Sequence, residues 1–232
     1  MRGVDGDPAV VAVGAVAALA CSANWWSRRP SAPTPTPPRT GGTRRLETIT
    51  KPLATVALAT LAVVAATSGA DDAPAGALAA AVVAFALCLG GDIALLPQVD
   101  RFVPGLASFL AGHLGFVVMF VLLGLDRPAL AIPALAGVTI VALTVGRRIV
   151  AGAASTSRGL VLPVQAYLGI ISTMAVVGWA TGRPAALAGC ALFVASDAVL
   201  GWNRFVGQQR WMPVTVMVTY HGALGGLALS LR

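Results

Sequence analysis

Eight apolar runs govern what this chain can become. Each is near the roughly 20 residues that a helix needs to cross a bilayer. They cover Pro8 to Asn24, Pro52 to Gly69, Pro74 to Leu96, Phe102 to Leu125, Pro128 to Gly146, Leu160 to Ala180, Pro184 to Trp202 and Trp211 to Leu231. In hydrocarbon every backbone polar group must be satisfied within its own segment, so runs of this length are read as helices. The expected fold is all-α, a polytopic transmembrane bundle of about eight spans. Composition closes off the alternatives. Of 232 residues, 57% are apolar and 11% charged, where a soluble domain carries about 25% charged residues. That excludes a soluble globular enzyme, a disordered chain and a secreted disulfide scaffold. Cys21, Cys88 and Cys190 lie inside apolar runs with no CxxC spacing and read as inert core residues.

The net charge of +7 does not point to nucleic acid, because the basic residues sit between the runs, as in a membrane protein. With the N-terminus outside, Arg28, Arg29, Arg39, Arg44, Arg45, Lys51, Arg101, Arg147, Arg148, Arg158, Arg204 and Arg210 fall inside. Arg2, Arg127, Arg183 and Arg232 fall outside. The bias predicts both termini outside. The Arg-over-Lys, Ala-rich usage suits a GC-rich bacterial genome, so the expected location is the inner (cell) membrane of a bacterium. Residues 1–24 form the first span. Ala18-Leu19-Ala20-Cys21 is faintly similar to a lipoprotein cleavage box, but Asp5 and Asp7 accompany Arg2 where a signal peptide carries a basic patch, so the span is expected to be retained. Residues 25–50 read as a basic, Pro-rich cytoplasmic linker, extended from Pro30 to Pro38. Residues 51–232 are expected to form a seven-span membrane domain.

The acidic residues single out a site. Asp5, Asp7, Glu47, Asp71, Asp72, Asp100 and Asp126 fall in loops or tails, and only Asp92 and Asp197 fall within spans. An ionised Asp near mid-membrane costs about 2.5–3.5 kcal/mol on insertion scales, and such residues mark functional sites by default. Asp92 stands five residues before Pro97 and Asp197 six before Asn203, which puts both roughly 8 Å inside the cytoplasmic boundary. On the third helix Ala81, Ala84, Cys88, Gly91 and Asp92 share a face. On the seventh, Gly189, Phe193, Ser196, Asp197 and Leu200 do. Small-residue stripes suit close helix packing, so both carboxyls are expected to face the interior. Lys51 and Arg204 are placed to meet an anionic head group or pair with an Asp, or to snorkel to lipid phosphates. His113 shares a face with Phe109, Phe116 and Phe120, and His221 lies at a similar depth. Tyr167, Gln165 and Tyr220 join the candidates as site residues or as helix-to-helix hydrogen bonds. No span carries HxxxH, ExxH or GxSxG, and Gly90-Gly91-Asp92 lacks the context of a phosphate loop. No metal and no cofactor are expected.

Taken together, several short pieces resemble the YhhN-type lysoplasmalogenase family. They are Thr50-Lys51-Pro52-Leu53, Leu89-Gly90-Gly91-Asp92-Ile93-Ala94-Leu95-Leu96-Pro97, Phe109-Leu110-Ala111-Gly112-His113, the run from Gly189 to Asp197, and Thr219-Tyr220. Leu224 and Phe116 depart from the pattern, which has a polar residue and a tyrosine there. The resemblance implies hydrolysis of a lysoplasmalogen vinyl ether to a fatty aldehyde and a glycerophospho-ethanolamine or -choline. Asp92 and Asp197 would be the catalytic pair. Lys51, His113, Tyr167, Ser196, Arg204 and Tyr220 would contact the substrate, a lysophospholipid drawn from the cytoplasmic leaflet. The chemistry suits two carboxyls. A carboxylic acid protonates carbon to give an oxocarbenium ion, and a carboxylate stabilises that cation and activates water, as in glycoside hydrolysis.

Three other readings compete. A proton-coupled small-molecule transporter would use the same Asp pair and favour helices broken beside it. An intramembrane aspartyl protease is poorly served, since Leu89 and Ser196 stand where its motifs need Gly and Tyr. A non-catalytic bundle would use the acids only for packing.

Overall fold

Proline stands at the start of several helices, at Pro8, Pro74, Pro184 and Pro213, and an aspartate caps one. Asp7 caps the first helix, its carboxylate accepting the Ala9 N–H at 2.8 Å, with Pro8 in the first turn. The computed structural model describes residues 7–28, 41–68 and 73–232. Its helices are α1 (Pro8–Ser27), α2 (Gly41–Thr67), α3 (Ala75–Ala94), α4 (Phe102–Leu123), α5 (Ala131–Val141), α6 (Arg147–Thr156), α7 (Val161–Ala180), α8 (Pro184–Phe205) and α9 (Met212–Leu229). A short 3₁₀ turn precedes α5, and a π turn from Ala142 to Gly146 joins α5 to α6. These make eight apolar spans and, among the described residues, no strand. The chain is an integral, multi-pass membrane protein.

Two boundaries differ from the sequence reading by more than a helical turn, both at polar ends. α2 begins at Gly41, so the residues up to Thr50 assigned to the linker are helical and Pro52 lies inside the helix. Hydropathy reports where hydrocarbon begins, not where helix begins. One internal Pro removes one backbone hydrogen bond, which this long helix absorbs. The fifth span likewise runs on through Arg147 and Arg148 to Thr156, burying Ile149 and Ala153. The Pro-rich stretch from Pro30 to Pro38 lies outside the described residues.

Helices α1 and α2, α3 and α4, and α8 and α9 pack as neighbours, with α2 also against α3 and α9, and α7 bridging α4 and α8. The expected stripes face inward: Ala81, Ala84, Cys88, Gly91 and Asp92 on α3 are buried, as are Gly189, Phe193 and Ser196 on α8, while Asp197 and Leu200 at the cavity end of that stripe are half-buried. Between them sits an aromatic core. Phe116 meets Phe85 edge-on at 5.4 Å, and Phe193 meets His113 at 4.5 Å and Tyr220 at 5.6 Å.

Helices α8 and α9 touch backbone to backbone. A Cβ on Gly226 would lie 2.8 Å from the Ala185 carbonyl oxygen and from Gly189 Cα. This approach leaves no room for a side chain, so Gly226→Val should force the helices apart. Overpacking of this kind costs about 1–3 kcal/mol, which at this chain length lowers Tm by roughly 2–12 °C. Thermal unfolding in detergent measures it, and an unchanged Tm would mean the two backbones do not approach this closely.

Candidate active site

The site lies at the end of the bundle where α3 and α8 finish and α2, α4, α7 and α9 begin. Asp92 stands in the last turn of α3, fully buried. Its Oδ2 accepts hydrogen bonds from Thr55 Oγ1 at 2.5 Å and from the Tyr220 hydroxyl at 2.9 Å. Lys51 Nζ lies 3.2 Å from Oδ1 as an ion pair and donates to the Asp92 carbonyl oxygen at 3.3 Å. One lysine therefore neutralises the side chain and satisfies a carbonyl in the final turn, where helices leave acceptors without partners.

Asp197 stands two turns before the end of α8. Its Oδ2 accepts a hydrogen bond from the Tyr167 hydroxyl at 2.5 Å. His113 Nε2 is 3.8 Å from the same oxygen, too far for a hydrogen bond. Among the described residues no Lys or Arg pairs with Asp197. The two acids are thus differently partnered: Asp92 has a cation, and Asp197 has a hydroxyl and an imidazole edge.

Both carboxyls line one cavity of about 230 Å³, shared with Lys51, Phe109, Ser196 and Tyr220. Aromatic contacts join the two halves behind it. Tyr220 touches Phe193, Phe193 touches His113, and His113 meets Tyr167 edge-on at 5.3 Å. From Asp197 a narrow apolar slot of about 40 Å³ continues between Leu95, Leu106, Ile149, Val164 and Leu168.

The sequence-derived residues divide. Lys51, Asp92, Ser196, Asp197 and Tyr220 reach the cavity, and Tyr167 and Arg204 border the slot. His113 is walled off behind Asp197, on neither lining. The Ser196 hydroxyl donates to the Val216 carbonyl at 3.0 Å, tying α8 to α9. Ser108 and Ser172 also donate to backbone carbonyls. Arg204 does not join the carboxyls: its guanidinium lies 4.9 Å over the Phe102 ring. Gln165 is exposed, and His221 accepts from the Trp25 indole N–H at 3.0 Å. The helices that carry both acids run unbroken through them. Sequence reasoning missed Thr55, Glu47 and Arg28. The first two share the i, i+4 face of Lys51 on α2, a pattern visible only once the helix is started early enough.

The sequence profile of the YhhN family matches residues 46–231. The chain belongs to the YhhN family. The matched region spans α2 to α9 and so carries both carboxyls and every contact they make. Among curated proteins, lysoplasmalogenase TMEM86B of Rattus norvegicus is 33% identical over 140 residues, which is 60% of this chain and 56% of the rat protein. The Homo sapiens protein of the same name is 33% identical over 129 residues, 56% of this chain and 53% of its own length. That of Sus scrofa is 30% identical over 145 residues, 62% and 60% respectively. This YhhN chain thus spans a little over half the length of the curated relatives it matches. No solved structure matches it.

Proposed function

We propose that this YhhN protein hydrolyses the vinyl ether bond of a lysoplasmalogen, giving a fatty aldehyde and a glycerophospho-ethanolamine or -choline. The observation that carries the reading is the pair of unequally partnered carboxyls on one cavity, in a chain whose curated relatives are named lysoplasmalogenases. Enzymes that need an acid and a base at one pH set two carboxyls in contrasting environments. Asp92, balanced by Lys51, is the carboxylate. Asp197, with no cation beside it, carries the transferable proton, and Tyr167 holds its Oδ2 so that Oδ1 presents the acid.

The steps balance with one water. Asp197 delivers its proton to the vinyl carbon remote from oxygen, and the neighbouring carbon becomes an oxocarbenium ion. The Asp92 carboxylate stabilises that cation and takes a proton from the water that adds to it. The resulting hemiacetal loses its hydroxyl proton as the carbon–oxygen bond to glycerol breaks, and the glycerol oxygen gains one. The proton Asp92 gains equals the proton Asp197 loses, and exchange with water resets the pair. The apolar slot beside Asp197 has room for the chain carbons next to the ether, and the rest of the chain lies in the bilayer. The excess of basic residues on one set of loops supports a mouth toward the cytoplasmic leaflet, with both termini outside.

The test is aldehyde release from 1-alkenyl lysophosphatidylethanolamine by the full chain in detergent. Release by the wild type supports the reading, and a folded protein that releases none overturns it. Tyr167→Phe removes one hydrogen bond to Asp197 and keeps the ring that packs on His113. Its rate should fall about tenfold, the equivalent of that bond. An unchanged rate would mean that Tyr167 does not position the acid.

A further inference from the structure

Helix α1 precedes the region matched to the family, yet its last turn reaches the site. Asn24 Nδ2 donates to Thr50 Oγ1 at 3.0 Å, and the Trp25 indole donates to His221. These two contacts pin α1 to α2 and α9. The third contact has a different setting. Arg28 Nη2 lies 2.6 Å from Glu47 Oε1, and both residues line the cavity that holds the two carboxyls. Glu47, Lys51 and Thr55 follow one another at four-residue spacing on α2, so they stand on one face about 6 Å apart along the axis. Thr55 and Lys51 hold Asp92. Glu47, one turn outward, holds Arg28. The cavity therefore carries its chemistry at one level and a cation–anion pair one level out.

We infer that Arg28 and Glu47 form a clasp for a zwitterionic glycerophospho-ethanolamine or -choline head group, Arg28 taking the phosphate and Glu47 the ammonium. The inference rests on the lysoplasmalogen reading and names what holds the polar end of that substrate. A guanidinium matches phosphate oxygens with two parallel hydrogen bonds, and a carboxylate attracts an ammonium. When the pair opens, the ligand offers a charge to each member, so neither is left without a partner. The other basic residues at the site are differently engaged. Lys51 is held by Asp92 through both its side chain and its carbonyl, and Arg204 lies over Phe102 beside the slot. A glycerol unit separates ether from phosphate in the substrate, as one helical turn separates Lys51 from Glu47 in the protein.

The test uses the full chain in lipid nanodiscs and an uncleavable probe, 1-alkyl lysophosphatidylethanolamine, with 1-alkylglycerol as the partner that lacks the phosphate head. Binding is measured by calorimetry. Arg28→Gln should weaken the lysophospholipid about tenfold or more and leave alkylglycerol unchanged. In turnover it should raise KM with kcat little changed, the mark of an interaction made equally in ground and transition states. The charge-swapped Arg28→Glu/Glu47→Arg variant keeps an ion pair between α1 and α2. It should recover wild-type Tm without recovering lysophospholipid binding. Equal weakening of both ligands by Arg28→Gln, or restored binding in the swap, would reduce the pair to a helix-docking contact and overturn the clasp. The two readings fail separately. A wild type that binds the probe through Arg28 but releases no aldehyde loses the hydrolysis and keeps the clasp. One that releases aldehyde while Arg28→Gln still distinguishes the two ligands loses only the clasp.

Discussion

Asp197→Asn should slow aldehyde release at least a hundredfold while leaving the protein folded. Asparagine has the shape of aspartate, and its side-chain oxygen can still accept the Tyr167 hydroxyl that Asp197 Oδ2 accepts at 2.5 Å. It has no acidic proton to give to carbon. A positioned acid or base contributes about 10²–10⁴-fold, and in the proposed mechanism protonation of carbon is the step assigned to Asp197. Because no Lys or Arg among the described residues pairs with Asp197, neutralising it leaves no buried cation behind. Tm should stay near that of the wild type, and KM should hold, since the lost interaction belongs to the transition state. Aldehyde formation in a stopped assay, read beside thermal unfolding of the same preparation, measures both. An Asp197→Asn variant that keeps more than about a tenth of the wild-type rate would remove Asp197 as the acid.

Much of the bundle was legible in the sequence because two simple signals agreed. Apolar runs of membrane-spanning length were separated by polar punctuation, and only two acids interrupted them. A chain so sparing with charge marks Asp92 and Asp197 by contrast alone. Small residues at helical spacing around each then set the direction they face, and the buried stripes of α3 and α8 match. What the sequence hid is of another kind. Hydropathy is silent about helix that extends beyond hydrocarbon, so the start of α2 at Gly41 and the run of α6 to Thr156 were out of reach. With the first of these went Glu47, which shares the Lys51 face only when the intervening turn is helical. The π turn from Ala142 to Gly146 leaves no mark in its composition. Arg204 shows a limit of placing partners by position along the chain. It shares a side of α8 with Asp197 seven residues away, but two turns set them about 10 Å apart along the axis, and an aromatic ring on α4 holds the guanidinium instead. The pairing of Lys51 with Asp92 is tertiary, 41 residues apart in the chain. Sequence could offer Lys51 a partner or a lipid phosphate, and packing of α2 on α3 decided for the partner.

Lys51→Met tests that pairing and, through it, the division of labour between the acids. Methionine fills the space of the lysine stem without the charge. In the variant the Asp92 carboxylate would stay buried with two hydroxyl donors and no cation. Breaking a buried ion pair by removing one partner costs about 3–5 kcal/mol, because the remaining charge is uncompensated. For a chain of this length that lowers Tm by roughly 6–20 °C. Asp92→Asn should cost a comparable amount for the converse reason, since it leaves the Lys51 ammonium buried. The double variant Lys51→Met/Asp92→Asn removes both charges and should recover most of the stability, so the two single losses are strongly non-additive. It should still release aldehyde at least a hundredfold more slowly than the wild type, because the carboxylate proposed to activate water is gone. Stability and catalysis then separate in one set of four proteins. A Lys51→Met variant as stable as the wild type would show that Asp92 carries a proton, not a charge, within the bundle. The assignment would reverse: Asp92 would be the acid that protonates the vinyl carbon, and Asp197, held by Tyr167 and flanked by His113, the carboxylate that takes the proton from water.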